Sequence, residues 1–323
     1  MAGKIVVLGT GGTIAGTAAQ AGANVGYTAG QIGIEDLLAA VPALAGAARG
    51  PLVAEQLAQI DSKDMDFALW ERLVDRCLVH LADPEVRGLV ITHGTDTLEE
   101  TAWLLASVLP AQDKPVVLTC AMRPATALAP DGPQNLLDAV TVAAHPQARG
   151  VLAVADGSVH GAREVAKLHP LRLDALHSAD AGPLGSIEAG ELRWAHGRAP
   201  EPMAPAHAAL AARLGSLAWP RVAIVMSHAG ADATVVDALL AAGVQGIVAA
   251  ATGNGTLHQA LEAGLERAVA GGVAVRVASR CPLGRMRAEP GARWSYAEGL
   301  SPVKARIGLM LDLMAQRAVA RGC

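Results

Sequence analysis

The feature that most constrains the fold is a regular alternation of short apolar runs with amphipathic stretches. Apolar runs at 4–10, 52–60, 88–92 and 116–120 predict buried strands. Between the second and third runs, apolar side chains recur at i, i+3, i+4 and i+7, which marks one face of a helix; they are Trp70, Leu73, Val74, Cys77, Leu78 and Leu81. Strands separated by helices need crossover connections, so we predict a mostly parallel sheet.

The alternation loosens after Ala153 and resumes at 222–226, which suggests two domains. A hairpin is predicted at 186–194, with its turn at Ala189-Gly190. Three prolines at positions 200, 202 and 205 indicate a stiff linker. We therefore predict two doubly wound α/β domains joined by a Pro/Ala-rich linker: a larger, flavodoxin- or Rossmann-like N-terminal domain (1–196), the linker (197–219) and a smaller C-terminal domain (220–323). The length of 323 residues fits two domains of roughly 150 residues each.

Composition excludes several classes of function. The net charge is −4 and only 8 of 323 residues are aromatic (5 Trp, 2 Tyr, 1 Phe), which argues against nucleic-acid partners. No apolar run approaches the roughly 20 residues that cross a bilayer, and residues 1–9 lack signal-peptide anatomy, so we expect no membrane association and a cytoplasmic location. The four cysteines lie far apart in sequence, which predicts reduced thiols and no zinc site.

A Gly-rich turn follows the first predicted strand, in the sequence Gly9-Thr10-Gly11-Gly12-Thr13-Ile14-Ala15-Gly16. A dinucleotide fingerprint would need a third glycine where Ile14 stands, and a carboxylate in 24–33, where there is none. No Walker A sequence is present either, so no cofactor is predicted. On the glycines alone, we favour a turn in which they only relieve backbone crowding.

A second polar turn follows the third strand, in the sequence His93-Gly94-Thr95-Asp96-Thr97-Leu98-Glu99-Glu100-Thr101. Asp96 or Thr97 could cap the next helix, with Glu99 or Glu100 completing a capping box. The turn nevertheless exposes two hydroxyls and a carboxylate together, more than a cap needs. In the C-terminal half, Asn254 between two glycines suits a tight turn at least as well as a ligand contact.

Taken together, these motifs resemble the two signatures of bacterial-type L-asparaginases, threonine amidohydrolases that convert asparagine to aspartate and ammonia. The resemblance spans essentially the whole chain, because further matches follow in the family's order: Tyr27-Thr28, Asp61-Ser62-Lys63-Asp64-Met65, Ala162-Arg163-Glu164-Val165-Ala166-Lys167, Gly182-Pro183-Leu184-Gly185, Gly253-Asn254-Gly255 and Ser301-Pro302-Val303-Lys304-Ala305-Arg306.

The resemblance implies two catalytic groups. Thr13 corresponds to the threonine that attacks the side-chain amide, and Tyr27 to the tyrosine that helps to activate it. Thr95, Asp96 and Lys167 correspond to a second set across the substrate. A threonine hydroxyl is a weak nucleophile without a base or proton relay, so both groups make chemical sense. Without the resemblance, we would interpret Lys167 as an exposed lysine in a charged loop.

The resemblance also implies a binding site for a zwitterion, without cofactor or metal. Asp96 would accept from the ammonium group, while Ser62 and backbone N–H groups of the second turn would donate to the carboxylate. A backbone N–H near Thr95 is the expected oxyanion donor. The substrate-binding set is completed by Gly12, Asp61 and Gly94. A partner subunit would contribute Asn254 or, more weakly matched, Glu289, which implies a homo-oligomer, usually a tetramer of close dimers.

One departure and three alternatives remain. Lys63 stands where many family members carry glutamine; a cation there would disfavour the substrate's ammonium, so Lys63 points away or alters substrate preference. A glutaminase-asparaginase of the same family stays open, because one methylene changes discrimination by only about 1–3 kcal/mol. The related subunit of a tRNA-dependent amidotransferase is disfavoured by the charge. A non-catalytic amino-acid-binding module would not need both threonines and Lys167.

Overall fold

The computed structural model describes residues 3–20, 22–110, 113–197, 205–288 and 290–320. The chain divides into two compact units, Met1–Gly215 and Ser216–Cys323. The elements of the first unit are β1 (Lys4–Gly11), β2 (Thr17–Ala18), β3 (Tyr27–Thr28), α1 (Ile34–Ala39), α2 (Leu44–Ala48), β4 (Leu52–Ile60), α3 (Phe67–Ala82), β5 (Val86–Thr92), α4 (Leu98–Val108), β6 (Val116–Thr119), α5 (Gly132–Ala143), β7 (Val151–Ala155), β8 (Ser158–Gly161), β9 (Ala166–Lys167), β10 (Leu176–His177), β11 (Gly185–Glu188) and β12 (Glu191–Trp194).

The first unit is built on an eight-stranded sheet in the order β12-β11-β8-β7-β6-β5-β1-β4. The five strands β4, β1, β5, β6 and β7 are parallel to one another, which confirms the predicted mostly parallel sheet. Their order corresponds to 2-1-3-4-5, the flavodoxin-like doubly wound arrangement. In such a sheet the strands are added first to one side of β1 and then to the other. The loops that follow β1 and β5 therefore diverge to opposite faces of the sheet, and a crevice opens at the carboxyl ends of these two strands.

Helices cover the sheet because its central strands are apolar on both faces. Ile5, Val6, Val7 and Leu8 are all fully buried. The face of β1 that carries Ile5 and Val7 packs against α1, α2 and α5. The predicted helical stripe is confirmed in α3, where all its members are buried except the half-buried Leu78.

The antiparallel edge of the sheet begins beyond β7. Strands β8, β11 and β12 each pair antiparallel with their neighbours. The predicted hairpin is confirmed as β11 and β12, joined by Ala189 (φ 51°) and Gly190 (φ 80°). Two small antiparallel pairs lie outside the main sheet, β2 with β3 and β9 with β10. Both belong to segments that carry predicted site residues.

The second unit is a smaller α/β domain with a parallel sheet. Its sheet has the order β13-β14-β15-β16, all parallel, with α6 and α7 in one apolar cluster and α8 against the other face, where Leu309 meets Gly246. The elements are β13 (Val222–Met226), α6 (Thr234–Ala241), β14 (Gly246–Ala251), α7 (Gln259–Ala270), β15 (Ala274–Ser279), β16 (Ser295–Tyr296) and α8 (Pro302–Ala320).

The division between the units, at Gly215/Ser216, falls inside the predicted linker range of 197–219. Residues 198–204, with two of the three prolines, lie outside the described residues. Within the same range Ala208–Ser216 forms a 3-10 helix. The domain bounds themselves stay predictions. Across the described part of the chain, no helix combines the length and apolarity that crossing a bilayer requires.

Candidate active site

Two loops meet at the crevice beside β1 and β5. The first loop leaves β1 at Gly12 and continues as a 3-10 helix, Thr13–Ala15; the second leaves β5 at His93. A Cβ on Gly12 would lie 2.5 Å from the Gly94 nitrogen and 2.6 Å from its Cα. Gly12 also has φ +84°, in the region that favours glycine. The two backbones touch, so the next residues, Thr13 and Thr95, are brought to the same crevice.

The first predicted group is assembled in the first loop. Thr13 Oγ1 lies 2.7 Å from the Tyr27 hydroxyl, and either atom can be the donor. Thr13 is 6% exposed, while Tyr27, on β3, is half-buried. The hydroxyl pair forms because β2 and β3 fold the segment after the 3-10 helix back over it. A hydroxyl that shares a proton with a phenol has the relay its activation needs.

The second predicted group joins two segments that are far apart in sequence. Lys167 Nζ donates to Thr95 Oγ1 at 2.8 Å and to Asp96 Oδ1 at 2.6 Å. The Lys167 backbone N–H donates to Glu99 Oε1 at 3.3 Å, which anchors the lysine at its main chain as well. Lys167 lies on β9, and its side chain is only 19% exposed. The interpretation of Lys167 as a solvated loop lysine is therefore wrong.

A third loop, after β4, supplies Ser62. Its side chain is 2% exposed, and its Oγ is a buried hydroxyl without a hydrogen-bond partner among the described residues. It faces the second loop, since a Cβ on Gly94 would collide with Ser62 Oγ. A buried hydroxyl without a hydrogen-bond partner lowers the stability of the fold unless a bound ligand supplies that partner. Ser62 thus fits the predicted role of a donor to a bound carboxylate.

The charged side chains of this third loop form ion pairs with one another. Lys63 Nζ lies 3.1 Å from Asp61 Oδ2 and 2.9 Å from Asp64 Oδ2. The hydrogen bonds that Lys63 donates to Asp64 and Asp61 raise the pKa of its ammonium group. Asp61 also accepts from the Lys63 backbone N–H at the start of the 3-10 helix Ser62–Asp64. Of the two predictions for Lys63, the geometry favours the one in which its side chain points away.

The capping-box hypothesis for the second loop is not what the structure shows. Thr97 is the N-cap residue of α4, yet no side chain caps the helix. Instead, Thr97 Oγ1 donates to the Ser62 carbonyl oxygen at 2.8 Å, which ties the second loop to the third. The carboxylate of Asp96 pairs with Lys167. Loop-to-loop contacts have therefore displaced the local cap.

The two residues predicted for a partner subunit both belong to the C-terminal part of the chain. Asn254, in the second unit, donates to the Arg287 carbonyl oxygen at 3.0 Å and accepts from the Arg287 N–H at 2.7 Å, as in a local turn. Glu289 lies outside the described residues. Among the described residues, no group of three or more His, Cys, Asp or Glu could hold a metal ion.

Sequence reasoning missed the buried partners that hold the second loop. His93 and Thr101 belong to the motif itself, but they carried no assigned role; in the structure they are hydrogen-bonded to each other, and Thr101 also accepts from Trp70 of α3. The signal was a histidine directly after a buried strand. By contrast, burial raises the pKa of Cys77 and Cys120 to about 12, so these thiols are not nucleophiles at neutral pH.

The first unit has a flavodoxin-like strand order, and two threonine hydroxyls lie at the crevice beside β1 and β5. These features define the class of protein, which is an α/β protein with a threonine-based site. Comparison with known proteins makes this specific. Residues 4–200 match the family described as "Asparaginase, N-terminal", and residues 221–321 match the "Glutaminase/Asparaginase C-terminal domain". The chain belongs to the asparaginase family, as its resemblance implied.

The relatives are similar over nearly their whole length. The chain is 39% identical to a probable periplasmic L-asparaginase of Haemophilus influenzae and 38% identical to L-asparaginase 2 of Escherichia coli, in both cases over 96% of this chain and 88% of the relative. It is 36% identical to a glutaminase-asparaginase of Pseudomonas fluorescens, over 96% and 86%. The crystal structure of a probable cytoplasmic L-asparaginase from Campylobacter jejuni matches with a TM-score of 0.88 at 36% identity, over 96% of this chain and 95% of that chain.

Proposed function

We propose that this protein hydrolyses L-asparagine to L-aspartate and ammonia. The observation that carries the proposal is the pairing of two threonines with two proton carriers at one crevice: Thr13 with Tyr27 at 2.7 Å, and Thr95 with Lys167 at 2.8 Å. A module that only bound an amino acid would need groups for its ammonium and carboxylate. It would have no use for two activated hydroxyls, so catalysis is the better account.

The chemistry assigns a role to each group. Thr13 Oγ1 attacks the carboxamide carbon while the Tyr27 hydroxyl accepts its proton and gives up its own, so that one proton is relayed to the amide nitrogen and the tetrahedral adduct collapses with loss of ammonia. Water then hydrolyses the threonine ester and regenerates Thr13. In the equivalent direct route, water attacks the carboxamide without an acyl intermediate. In both routes, Thr95 with Lys167 carries a proton on the opposite side of the amide.

Substrate binding uses the charges of the site. Asp96 keeps about half of its side chain exposed beside Lys167 and can accept from the substrate's ammonium group. The unpartnered Ser62 hydroxyl and the backbone N–H groups of the second loop donate to the substrate carboxylate. Backbone amides aimed at a developing oxyanion usually give a large catalytic contribution, and the Thr95 N–H is the candidate here.

The rival within the family is glutaminase activity, which is part of the name of the Pseudomonas fluorescens relative. Ammonia release from L-asparagine and L-glutamine, measured in parallel on the same preparation, tests the proposal. We expect turnover of asparagine with the larger kcat/KM. Equal or faster turnover of glutamine would make the protein a glutaminase-asparaginase, and no ammonia from either substrate would favour the binding module.

We propose a homotetramer of close dimers in the cytoplasm, with Asn254 or Glu289 reaching a partner's site. The free thiols of Cys77, Cys120 and Cys281 suit a reducing compartment. Relatives are named for both compartments, periplasmic in Haemophilus influenzae and probable cytoplasmic in Campylobacter jejuni. Light scattering of the purified protein tests the assembly, and fractionation of the source cells tests the location; a monomer or a periplasmic pool would contradict the respective proposal.

A further inference from the structure

A buried chain of hydrogen bonds runs from α3 to the second loop of the site. Trp70 Nε1–H donates to Thr101 Oγ1 at 2.9 Å, Thr101 Oγ1 lies 2.9 Å from His93 Nε2, and His93 Nδ1 lies 2.8 Å from the Gly94 carbonyl oxygen. Trp70 is 4% exposed, and both Thr101 and His93 are fully buried. None of these three side chains belongs to the two catalytic groups.

The direction of every hydrogen bond in this chain can be assigned. A carbonyl oxygen only accepts, so His93 Nδ1 must carry a proton. Burial lowers the pKa of His93 to about 4, so the ring is neutral at pH 7 and its Nε2 is an acceptor. The Thr101 hydroxyl therefore donates to Nε2 and accepts from the Trp70 indole. These hydrogen bonds together fix the His93 ring in its Nδ1–H tautomer.

This series of hydrogen bonds ends at the peptide bond between Gly94 and Thr95. The C=O of Gly94 and the N–H of Thr95 point in opposite directions from the same planar unit, so holding one aims the other. The Thr95 N–H donates to no other residue in the described part of the chain, which leaves it available to a ligand. Glycine at position 94 has no side chain to restrict its backbone torsions, so the hydrogen bond from His93 adds a restraint on the orientation of this peptide.

We propose that His93 is a positioning residue for the reaction: its Nδ1–H holds the Gly94 carbonyl, and it thereby aims the Thr95 N–H and hydroxyl at the carboxamide of the substrate. Thr101 and Trp70 serve this role indirectly, because they keep the proton of His93 on Nδ1. The inference rests on the proposed function of Thr95. It adds that the rate depends on an imidazole that never touches the substrate.

A matched pair of amides tests this inference. In His93→Asn the side-chain nitrogen can occupy the position of Nδ1 and still donate to Gly94, whereas in His93→Gln the amide reaches only the position of Nε2, beside Thr101. Both variants replace the ring by an amide, so we expect melting temperatures within a few degrees of each other. We expect His93→Asn to keep kcat within about threefold of wild type and His93→Gln to lose at least about tenfold, with KM within about twofold in both.

A second pair keeps the test decisive where an imidazole replacement fails to fold. Thr101→Ser preserves the hydroxyl and should keep kcat, while Thr101→Val removes it and should lower kcat about threefold to tenfold. Equal kcat losses within each pair that folds, or losses that follow the melting temperature, would overturn the inference. Thr95→Val distinguishes failure of the proposed function from failure of this inference. If Thr95→Val leaves turnover intact, the proposed role of Thr95 is wrong and the inference about His93 is wrong with it. If Thr95→Val abolishes turnover while His93→Asn and His93→Gln have the same kcat, only the inference about His93 is wrong.

Discussion

Gly12 and Gly94 approach so closely that Gly12 has no space for a side chain: a Cβ on Gly12 would lie 2.5 Å from the Gly94 nitrogen. They come from loops separated by more than eighty residues, and each precedes a site threonine. The contact is possible because β1 and β5 are neighbours whose carboxyl ends meet at the same edge. Local glycine chemistry and sheet topology together therefore determine the distance between Thr13 and Thr95.

The contact between the two glycines predicts a severe effect of one methyl group. Gly12→Ala adds a backbone clash to a positive φ, and we expect a loss of about 3 kcal/mol in unfolding free energy together with the loss of turnover. Gly190→Ala is the control, because Gly190 has φ +80° with nothing within 4 Å of its Cβ position. That variant should lose about 1 kcal/mol and keep its activity. Similar urea unfolding curves for the two variants would contradict the steric account.

The hydroxyl pair of the first loop predicts a specific role for a phenol. Tyr27→Phe keeps the ring and removes the group that shares a proton with Thr13, so we expect kcat to fall about a hundredfold with little change in KM. Tyr296→Phe is the matched control, because Tyr296 is the other of the two tyrosines and lies in the second unit. Steady-state kinetics of ammonia release provide the measurement. A Tyr27→Phe variant with wild-type kcat would exclude the relay.

Two lysines near the site should differ sharply in importance. Lys167→Met removes the donor to Thr95 and leaves Asp96 unpaired, so we expect the turnover of asparagine to be lost. Lys63 is 60% exposed and satisfied by Asp61 and Asp64, so Lys63→Met should change both kcat/KM and the preference for asparagine over glutamine by less than about threefold. A large change in that preference would mean that Lys63 faces the substrate after all.

Buried histidines predict a loss of stability in mild acid. Burial lowers the pKa of His93 and of His160 to about 4, against an ordinary value near 6.5. Because the unfolded chain binds the protons more readily, the stabilisation is complete above pH 6.5 and is lost progressively as the pH falls toward 4. At pH 5 we expect each histidine to lower the unfolding free energy by about 2 kcal/mol relative to pH 7.5.

Urea unfolding at pH 7.5 and pH 5 measures this dependence, and a variant isolates one contribution. His160 hydrogen-bonds Ser178 through Nδ1 at 2.8 Å and is a member of neither catalytic group. In His160→Asn the titrating ring is gone while a nitrogen can remain near Ser178. The difference in stability between the two pH values should shrink by about 2 kcal/mol in this variant. An unchanged difference would show that His160 does not titrate on unfolding.

The sequence predicted the framework of the fold because apolar residues follow a single regular pattern along most of its strands and helices. Apolar spacing and turn chemistry predicted the strands β1, β4, β5, β6 and β13, the helical stripe of α3 and the hairpin at Ala189-Gly190. The order of the strands did not follow from spacing, since an apolar run carries no information about its neighbours. The choice of the flavodoxin-like over the Rossmann-like order, and the attachment of the predicted hairpin to the sheet edge beside β8, appear only in the strand pairing.

The site divides in the same way. Glycines and hydroxyls after two strands marked its position, and the resemblance assigned Tyr27 and Lys167 to it. What failed was local reasoning: Thr97 looked like a helix cap, but it bonds the Ser62 carbonyl, and Lys167 looked solvated without the resemblance. Both outcomes depend on contacts between segments that are distant in sequence, and such contacts are invisible to a pattern read along one segment.

The most direct test of the account is ammonia release from L-asparagine by Thr13→Ala and Thr95→Val, each compared with wild type and with Thr141→Ala. Thr141 bonds the Leu137 carbonyl oxygen within α5 and is the control for losing a threonine hydroxyl. We predict that both site variants fold, with wild-type circular dichroism, and lose at least about a thousandfold in kcat, while Thr141→Ala keeps its activity. A site variant that folds and retains most of its turnover would contradict the claim that two threonines act on one carboxamide.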